Sequence, residues 1–562
     1  MKIISKSKFL LFFITTAIMC VFSILGGALV YVGNDDTFRN LISAGAFGNN
    51  YSFYIPYSNV LYGMPAYLLN TIIPWINWYY WIMIGITVFS ISASCYICLE
   101  KYNFIIAETT TIFINIILAR DYYIAVQYTK SASLWIISGF IIIIHSICKK
   151  NLKWIWGAFL FLFGTAERFE CMLMVLPFIA VFLIMFCLSN YKQDIFIELK
   201  PIIKPLTTIV LGIIILLVAD YSFKTLHPDW NEYLEYDQAS VNIRDFMYLD
   251  YNHNPSEYNS INTDENDIAL YSNWLFGDTD FYDISWLKKV YAIEQPYNNR
   301  KIRLNYNIIK QTIIKLLDIP IRNPFDSLGP VFLTWIFIVF LLLRKNYTDK
   351  LFGIGILCSV VIIYWYFACI NRFMWRVEIG VFLSATFLSG FYLSNTKPDI
   401  IRVPSKKTKI LFISVAIFLF GVYSVFMTYQ WRYVKDKHIV EHEADISGRL
   451  ETFAENTDNF YILTDFYVTN NPISLTYEKW NNLYRNSCYL GNWIVPSPAA
   501  MHFAQDYDID NPMTALISQR PVFLHCDSDD KLNMIKQHLK KISKHDIEVT
   551  ELPDSIWKFE IR

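Results

Sequence analysis

Long apolar segments recur along this chain and leave little room for any fold other than a bundle of membrane helices. The first extends from about Phe9 to Val32, and segments of similar character continue to residue 429. An apolar helix of about 20 residues crosses the ~30 Å hydrocarbon core of a bilayer. Hydrophobic residues make up 54% of the sequence and charged residues only 17%, in keeping with this pattern. The sequence therefore predicts a polytopic α-helical membrane protein.

We predict about eleven transmembrane helices, with the N-terminus in the cytoplasm. The predicted spans are residues 9–32, 77–99, 103–119, 131–148, 152–165, 171–188, 205–223, 328–343, 351–369, 377–394 and 410–429. Lysine and arginine concentrate in alternate loops, and such loops usually stay in the cytoplasm. An odd number of spans then places the C-terminus outside the cell. The first segment is interpreted as an uncleaved span, because it is too long for a typical signal peptide.

The same pattern divides the chain into two parts. Residues 1–430 form the predicted transmembrane domain, which includes an outer loop at 33–76 and a large outer loop at 224–327. Residues 431–562 are predicted to form a small extracytoplasmic α/β domain. Its strand patterns lie at 460–463, 522–525, 547–551 and 556–561, and its helical patterns at 440–455 and 531–543.

Two apolar stretches are predicted to lie along the membrane surface instead of crossing it. Residues 57–74 are short for a span and contain Gly63 and Pro65. Residues 299–317 form a basic amphipathic pattern. Amphipathic helices of this kind settle in the interface between lipid and water.

Two adjacent carboxylates, Asp35 and Asp36, directly follow the first span. The predicted orientation places them at the outer membrane surface. Adjacent acids repel each other, so the pKa of one is expected to be raised, which suits acid–base chemistry. The structural alternative is that one of them caps a helix beginning near Thr37.

Further ionisable residues lie at the outer ends of later spans. They are Arg39, Arg120, Asp121, Lys130, Glu167, Arg168, Glu170, Arg372 and Arg376. Ionisable groups at membrane depth usually face a cavity or a partner. Guanidinium groups match phosphate oxygens, and a carboxylate can accept the proton of an attacking hydroxyl. Structural ion pairs and interfacial anchors are the alternative for each arginine or lysine.

Several function classes lack their sequence signals. The net charge of −1 gives no indication of a nucleic-acid partner. Walker, dinucleotide and His-rich metal motifs are absent from the sequence. No cofactor is required by the sequence, although a divalent cation is possible at Asp278-Thr279-Asp280, where a solvated turn is the favoured interpretation. Cys488 and Cys526 could pair outside the cell.

The order of these features resembles the GT-C glycosyltransferases: paired acids in an early outer loop, an amphipathic stretch, many spans and an extracytoplasmic C-terminal domain. Residues 54–78 are similar to the proline-containing apolar stretch of protein-mannosyltransferase-like enzymes, although Ile55 stands where a histidine often precedes the proline. The chain is also similar to a group of membrane proteins from low-GC Gram-positive bacteria. The strings that carry this similarity lie at residues 34–36, 43–46, 76–79, 127–130, 167–170, 273–278 and 371–376.

The resemblance implies a multi-pass cell-membrane enzyme that transfers a sugar from a polyprenyl-phosphate donor to a cell-surface glycan or lipid-linked acceptor. By resemblance, Asp36 or Asp35 is the catalytic base. We expect the donor phosphate to be bound by four basic residues, and the substrate to be oriented by Glu167 and Asn34. The four basic residues are Lys130, Arg168, Arg372 and Arg376.

Two other functions compete with this interpretation. A polysaccharide repeat-unit polymerase would depend on the arginines and little on the acids of the first loop. A lipid-linked oligosaccharide transporter or flippase would need charges deep within the spans and inverted repeats. Neither transporter feature is evident in the sequence.

Overall fold

The fold is a bundle of membrane helices that carries a small mixed sheet at its C-terminus. The computed structural model describes residues 2–48, 51–189, 195–298, 305–322, 328–396, 449–464, 473–477, 483–501, 503 and 506–562. Its first helices are α1 (Lys2–Gly26), α2 (Asn34–Ala44), α3 (Val60–Ile72), α4 (Trp78–Leu99), α5 (Phe104–Ala119), α6 (Tyr128–Cys148), α7 (Trp154–Glu167), α8 (Phe169–Ser189) and α9 (Ile195–Leu226). They are followed by α10 (Pro228–Arg244), α11 (Pro255–Ser260), α12 (Glu265–Ser272), α13 (Ile284–Glu294), α14 (Tyr306–Leu317), α15 (Ile319–Arg322), α16 (Gly329–Leu343), α17 (Tyr347–Ile370) and α18 (Trp375–Asn395).

Among the described residues, 7 helices are long and apolar enough to cross a membrane. They are α1, α4, α6, α8, α9, α17 and α18. Two shorter apolar helices, α7 and α16, lie among them. A helix is present at every predicted span position except 410–429, which lies outside the described residues. The chain is therefore a helical membrane protein.

Helix α6 occupies the centre of the bundle and contacts α4, α7, α8 and α18. Its residues are apolar around the whole circumference and are buried along almost the entire length. A helix that is apolar on all sides is stable only when other helices cover it. Small residues allow the close approach, as at Ser94 and Ser138, whose hydroxyls are 2.9 Å apart. This core fixes the positions of the surrounding helix ends.

The first helix ends earlier than predicted, at Gly26 and not at Val32, and it begins at Lys2. Glycine weakens a helix interior and allows close backbone approach. At Gly27, an added Cβ would lie 2.7 Å from Ile124 Cδ1. The chain then continues as a short strand, β1 (Val30–Tyr31), which pairs in parallel with β2 (Ala125–Val126). The end of α1 is thereby joined to the start of α6.

The two predicted surface helices are present as helices. α3 has 13 residues, too few to cross a bilayer. α14 begins at Tyr306, and residues 299–304 of that prediction lie outside the described residues. Ile313 and Leu317 of α14 are exposed, as expected of an amphipathic helix with an uncovered apolar face.

The C-terminal region contains a five-stranded sheet in the order β4-β3-β5-β7-β6. The strands are β3 (Phe460–Leu463), β4 (Ser487–Tyr489), β5 (Val522–His525), β6 (Ile547–Leu552) and β7 (Ile556–Ile561). β3 pairs in parallel with β4 and β5, whereas β7 is antiparallel to both of its neighbours. The four predicted strands are confirmed, and the three-residue β4 was missed. Of the predicted helix at 440–455, residues 440–448 lie outside the described residues and residues 449–455 (α19) are helical.

Two later helices, α20 (Pro512–Ala515) and α21 (Asp529–Ser543), complete this region. Cys488 on β4 and Cys526 after β5 are both buried and free. β3 separates their strands, and two strand spacings of about 4.8 Å exceed the Cα distance of a disulfide. The pairing considered for them does not occur.

The large loop and the C-terminal sheet share one hydrophobic core. Leu270 and Trp286 of the loop lie in the same buried cluster as Ile462, Leu524 and Leu539. This joint body, comprising residues 228–298 and the C-terminal region, is called the cap below. The cap packs against α2, where the ring of Phe38 lies 5.6 Å from that of Trp493.

Backbone hydrogen bonds also fasten the cap to the helix ends. The amide of Ile473 donates to the carbonyl of Leu29 at 2.8 Å, and that of Tyr477 donates to Trp75 at 2.9 Å. The Tyr477 hydroxyl lies 3.2 Å from the Asn40 side-chain oxygen. Residues 473–477 thus lie between the end of α1 and the start of α4.

Candidate functional site

The twin aspartates lie in the first turn of α2, where negative charge is favoured by the helix dipole. Gly33 precedes the helix with a φ of 105°, a conformation that other residues rarely adopt. An added Cβ at Gly33 would face the Nη1 atom of Arg376 at 3.8 Å. The glycine therefore turns the chain into α2 and leaves room for an arginine beside it.

Asp35 is the partly exposed member of the pair. Its Oδ2 atom lies 2.7 Å from Arg376 Nη1, and both side chains keep 20% exposure. The Tyr128 hydroxyl lies 3.5 Å from the same oxygen. Burial disfavours the charged carboxylate, but the charge and hydrogen bond of Arg376, with the charges of Arg168 and Arg39, outweigh it and lower the pKa of Asp35. Asp35 is therefore a carboxylate at neutral pH, and solvent reaches it.

Asp36 is fully buried. Its Oδ1 atom accepts hydrogen bonds from the Tyr79 hydroxyl at 3.1 Å and from the Tyr128 backbone amide at 2.9 Å. Its other oxygen has no hydrogen-bond partner among the described residues. Burial, opposed by Arg39 and reinforced by the charges of Asp35 and Glu167, raises the pKa of Asp36 to about 7. The raised pKa expected for one member of the pair thus falls on the inaccessible one.

A buried ion pair lies beneath the aspartates. Arg39 Nη2 is 3.1 Å from Glu167 Oε2, and both side chains have 0% exposure. The same guanidinium donates to the Ser58 hydroxyl, and its carbon lies 4.0 Å from the centre of the Tyr128 ring. Glu167 was expected to orient the substrate. It instead holds Arg39 and ties α2 to the end of α7.

Arg168 is next to Glu167 in the sequence and lies on the Asp35 side of this ion pair. Its guanidinium donates to the Tyr128 hydroxyl and pairs with Glu170 at 3.2 Å. It also lies 6.0 Å from the centre of the Tyr57 ring. Because the Tyr128 hydroxyl contacts both Arg168 and Asp35, one side chain from α6 connects the acid to Arg168.

Two further arginines come from the cap side of the site. Arg372 Nη2 lies 3.1 Å from Asp245 Oδ2, with 27% and 23% side-chain exposure. Arg244 donates to the Tyr57 hydroxyl at 3.1 Å and pairs with Asp237 at 2.8 Å. Arg244 Nε also lies 3.7 Å from Asp245. These contacts bring α10 of the cap against the helix ends.

The four arginines belong to one continuous network of contacts. Starting from Asp35, it passes through Arg376 on one side and through Tyr128 and Arg168 on the other. Met374 lies next to both Arg372 and Arg376, 3.2 Å and 4.0 Å from their nearest nitrogens. We call Arg168, Arg244, Arg372 and Arg376 the arginine cluster. Three of its members were predicted from the sequence.

Lys130 does not belong to this cluster. Its ammonium lies 2.7 Å from Asp121 Oδ1 and 3.2 Å from the carbonyl of Ala125. Both charged side chains are almost fully buried, at 1% and 0% exposure. The expected contact of Lys130 with a donor phosphate would require breaking this internal ion pair. Lys130 is therefore a poor candidate for binding phosphate. Asn34 begins α2 beside Asp35 and is partly buried.

The residues missed by sequence reasoning are Arg244, Tyr57 and Tyr128. Arg244 did carry a signal, since it is the only lysine or arginine between Asp229 and Asp283 in the acidic loop. A lone cation among acids often has a specific partner. The two tyrosines carried none, because the chain contains 38 tyrosines and nothing local distinguishes these two.

Within the Asp278-Thr279-Asp280 string, Thr279 and Asp280 lie in a turn and Asp280 is exposed, as expected, whereas Asp278 forms an internal link. Asp278 is buried and its Oδ2 atom lies 2.9 Å from His538 Nε2. The other ring nitrogen of His538 lies 2.8 Å from Asp267. Within the described part of the chain, no group of three His, Cys, Asp or Glu residues has a metal-binding arrangement. The string instead joins the large loop to α21.

No family model matches the chain, and no curated protein is significantly similar to it. The functional interpretation rests on the geometry described above and on the resemblance noted in the sequence.

Proposed function

We propose that this protein is a GT-C-like glycosyltransferase with about eleven spans, which moves a sugar from a polyprenyl-phosphate donor to a cell-surface glycan or lipid-linked acceptor. The observation that carries the proposal is the partly exposed Asp35, which lies at the ends of membrane helices and contacts an arginine cluster. A lipid-linked phosphate sugar has two features that match this site: an anion at the membrane surface and a bond to be cleaved beside it.

In this proposal Asp35, not Asp36, is the base. Asp35 is charged at neutral pH and reached by solvent, as a general base must be. Asp36 lacks access to substrate, and its contacts with Tyr79 and Tyr128 give it a positioning role at the start of α2. Within the proposal, the difference in exposure favours Asp35 over Asp36 as the base.

The proposed reaction is a single displacement at the anomeric carbon. The acceptor hydroxyl forms a new C–O bond to that carbon while its proton passes to Asp35. The bond between the carbon and the phosphate oxygen breaks, and polyprenyl phosphate leaves with the electron pair. In this reaction Arg168, Arg372 and Arg376 would neutralise the charge that develops on this leaving group.

The proposal includes an orientation. The positive-inside rule places the N-terminus in the cytoplasm and the cap outside the cell. The donor would then be used on the outer surface, where the cap can meet a cell-surface glycan. Labelling of single cysteines introduced into the cap with a membrane-impermeant maleimide tests this orientation, and labelling only after cell lysis would contradict it.

The decisive test compares Asp35→Asn with Asp36→Asn in full-length protein reconstituted into liposomes. The liposomes contain a panel of polyprenyl-phosphate sugars and soluble oligosaccharide acceptors, and mass spectrometry measures the polyprenyl phosphate released. We expect Asp35→Asn to lower release by about 10²- to 10⁴-fold, the usual contribution of general acid–base catalysis. The neighbouring Asp36→Asn is expected to lose less than about tenfold, because an amide oxygen can accept the same two hydrogen bonds.

Full activity of folded Asp35→Asn protein would contradict the assignment. A repeat-unit polymerase would give that result and would still lose activity in Arg168→Ala and Arg376→Ala. Transbilayer movement of the lipid without release of polyprenyl phosphate would instead identify a flippase.

A further inference from the structure

A second concave surface lies between the segment that follows α2 and the cap. It is a cleft of about 1010 Å³ whose walls come from residues 42–48 and 51–53, from α10, from residues 279–284, and from residues 496–501 with Asp506. The proposed chemistry at Asp35 does not use this cleft. Its size is in the range of ligand-binding pockets.

The lining combines aromatic rings with exposed carboxylates. The rings are those of Phe47, Tyr51, Phe53, Trp230, Tyr233 and Tyr236. The carboxylates belong to Asp229, Glu232, Asp283 and Asp506, all of them exposed. Lysine, arginine and histidine are absent from the described lining residues.

This lining suits a sugar chain that carries no negative charge. The C–H face of a sugar ring is apolar and packs against an aromatic ring, while its hydroxyls are donors for carboxylate oxygens. An amine-bearing sugar would gain a further charge-assisted hydrogen bond. A phosphate- or carboxylate-bearing chain would be repelled, since no cation compensates the four acids. The arginine cluster has the opposite preference.

Tyr233 forms part of the inner wall of the cleft and is 2% exposed. Its hydroxyl is buried by protein, so a sugar in the cleft would meet the aromatic rings and the exposed carboxylates and not this hydroxyl.

The cleft adjoins the proposed catalytic site. Ile42 of α2 is part of its wall and follows Asp35 by about 10 Å of helix, at 1.5 Å per residue. On the other side, Tyr233 lies near Arg244 of the arginine cluster, whose charge acts on it.

We propose that this cleft binds the acceptor, and that the acceptor is a neutral or amine-bearing oligosaccharide. The inference rests on the proposed function for the word acceptor, but the binding itself can be tested without any transfer reaction. A peptide ligand is the competing occupant and appears as an outcome of the same test.

The test measures binding of detergent-purified full-length protein to a printed array of neutral, amino and acidic oligosaccharides, with a set of unrelated peptides on the same array. We expect binding to neutral and amino glycans only. Trp230→Ala should weaken it about tenfold, as loss of one stacking ring predicts, and Trp230→Phe less. Asp229→Asn combined with Glu232→Gln should remove any preference for amino glycans and admit acidic ones.

The matched control carries the exposed pair Glu257→Gln and Glu265→Gln, which lies in the same acidic loop outside the cleft. It should bind as the unaltered protein does. Binding to acidic glycans or peptides only, or binding to no glycan, would overturn the inference. So would Trp230 and carboxylate variants that bind as tightly as the unaltered protein. Normal glycan binding by an Asp35→Asn protein that still transfers sugar would instead reject the proposed function and leave the cleft assignment standing.

Discussion

Two regions of this molecule place carboxylates against cations in opposite ways. Around Asp35, the acid and its arginine partner each keep 20% exposure and belong to a network that extends to three more arginines. Around His538, the imidazole and Asp267 have 0% exposure and Asp278 has 3%. The sequence shows only scattered acids and cations in both regions. The difference teaches that accessibility of the charges, not their number, distinguishes a candidate reaction site from a structural link.

The largest effect is expected where a charge is left buried without its partner. Arg39→Met removes the cation from Glu167 and should lower the free energy of unfolding by about 3–5 kcal/mol. Thermal unfolding in detergent, followed by tryptophan fluorescence, measures the loss. The exposed pair of Arg449 and Asp527, with 50% and 44% exposure, is the control. Arg449→Met should change the stability by less than about 1 kcal/mol, and similar losses in both variants would contradict the distinction.

The buried cluster around His538 should respond to pH in a way that the partly exposed network around Asp35 does not. Burial opposes the charge of His538, but hydrogen bonds and charges of Asp267 and Asp278 prevail and raise its pKa above 6.5. Lys541 and Asp264 also face this cluster, and Asn511 bonds Asp278. A raised pKa means that stabilisation by the imidazolium is complete below pH 6.5 and declines as the pH rises through the raised value.

His538→Phe should therefore cost about 2–3 kcal/mol at pH 6, because Asp267 and Asp278 each lose a charged partner but keep Lys541 and Asn511. The cost should shrink at higher pH. Unfolding temperatures of both proteins, measured from pH 6 to 9, check the sign. A difference between the two proteins that grows with pH would show that His538 is neutral in the folded state.

The partly exposed network around Asp35 should tolerate changes that the buried cluster around His538 does not. Arg168→Lys keeps the charge but loses the fork that can hold two phosphate oxygens. We expect donor use, measured as kcat/KM for polyprenyl phosphate release, to fall about tenfold, which corresponds to about 1.4 kcal/mol. Stability should stay within about 0.5 kcal/mol of the unaltered protein. A loss of stability without a loss of activity would place Arg168 with the structural ion pairs.

Asp36→Asn is expected to be nearly neutral for stability at pH 8. The buried carboxyl has a pKa raised to about 7, so it must lose its proton there while it stays buried. When folding raises the pKa of a carboxyl, the folded protein is most stable below the unfolded pKa of that carboxyl and loses stability as the pH rises above it. The amide removes this penalty, and thermal unfolding should show no loss relative to the unaltered protein. A loss of several degrees would indicate that the charged form is the stable one.

The smallest effect is expected at the rim of the site. Glu170 is 69% exposed and pairs with Arg168 at 3.2 Å. Exposed pairs contribute about 0–1 kcal/mol, and salt screens them. Glu170→Gln should leave stability unchanged and raise the donor kcat/KM by no more than about twofold, because Arg168 loses a competing anion. A large loss of activity would mean that Glu170 takes part in the reaction.

Sequence reasoning succeeded where one physical pattern dominates. Apolar length predicted the helices from α1 to α18 that have span character, and alternation predicted four of five strands in the cap. It overextended α1, because it weighed hydrophobicity above the glycine pair Gly26-Gly27. It could not find β4, since three residues carry no period.

The site was predicted in part, for a related reason. Position at a helix end identified Asp35, Arg168, Arg372 and Arg376, all of which the structure brings into one network. The same criterion selected Lys130, because a sequence does not show that Asp121 bends back to pair with it through the π-helical turn at Arg120–Ile124. Arg244 was placed in a soluble loop, and only tertiary packing of the cap brings it to Tyr57.

The backbone bonds from Ile473 to Leu29 and from Tyr477 to Trp75 have a consequence for biosynthesis. Leu29 and Trp75 are made roughly 400 residues before the segment 473–477 that binds them. A ribosome must therefore release residues 473–477 before these contacts can form. The helices up to α18 are made earlier, so they can enter the membrane before the cap is fastened to them.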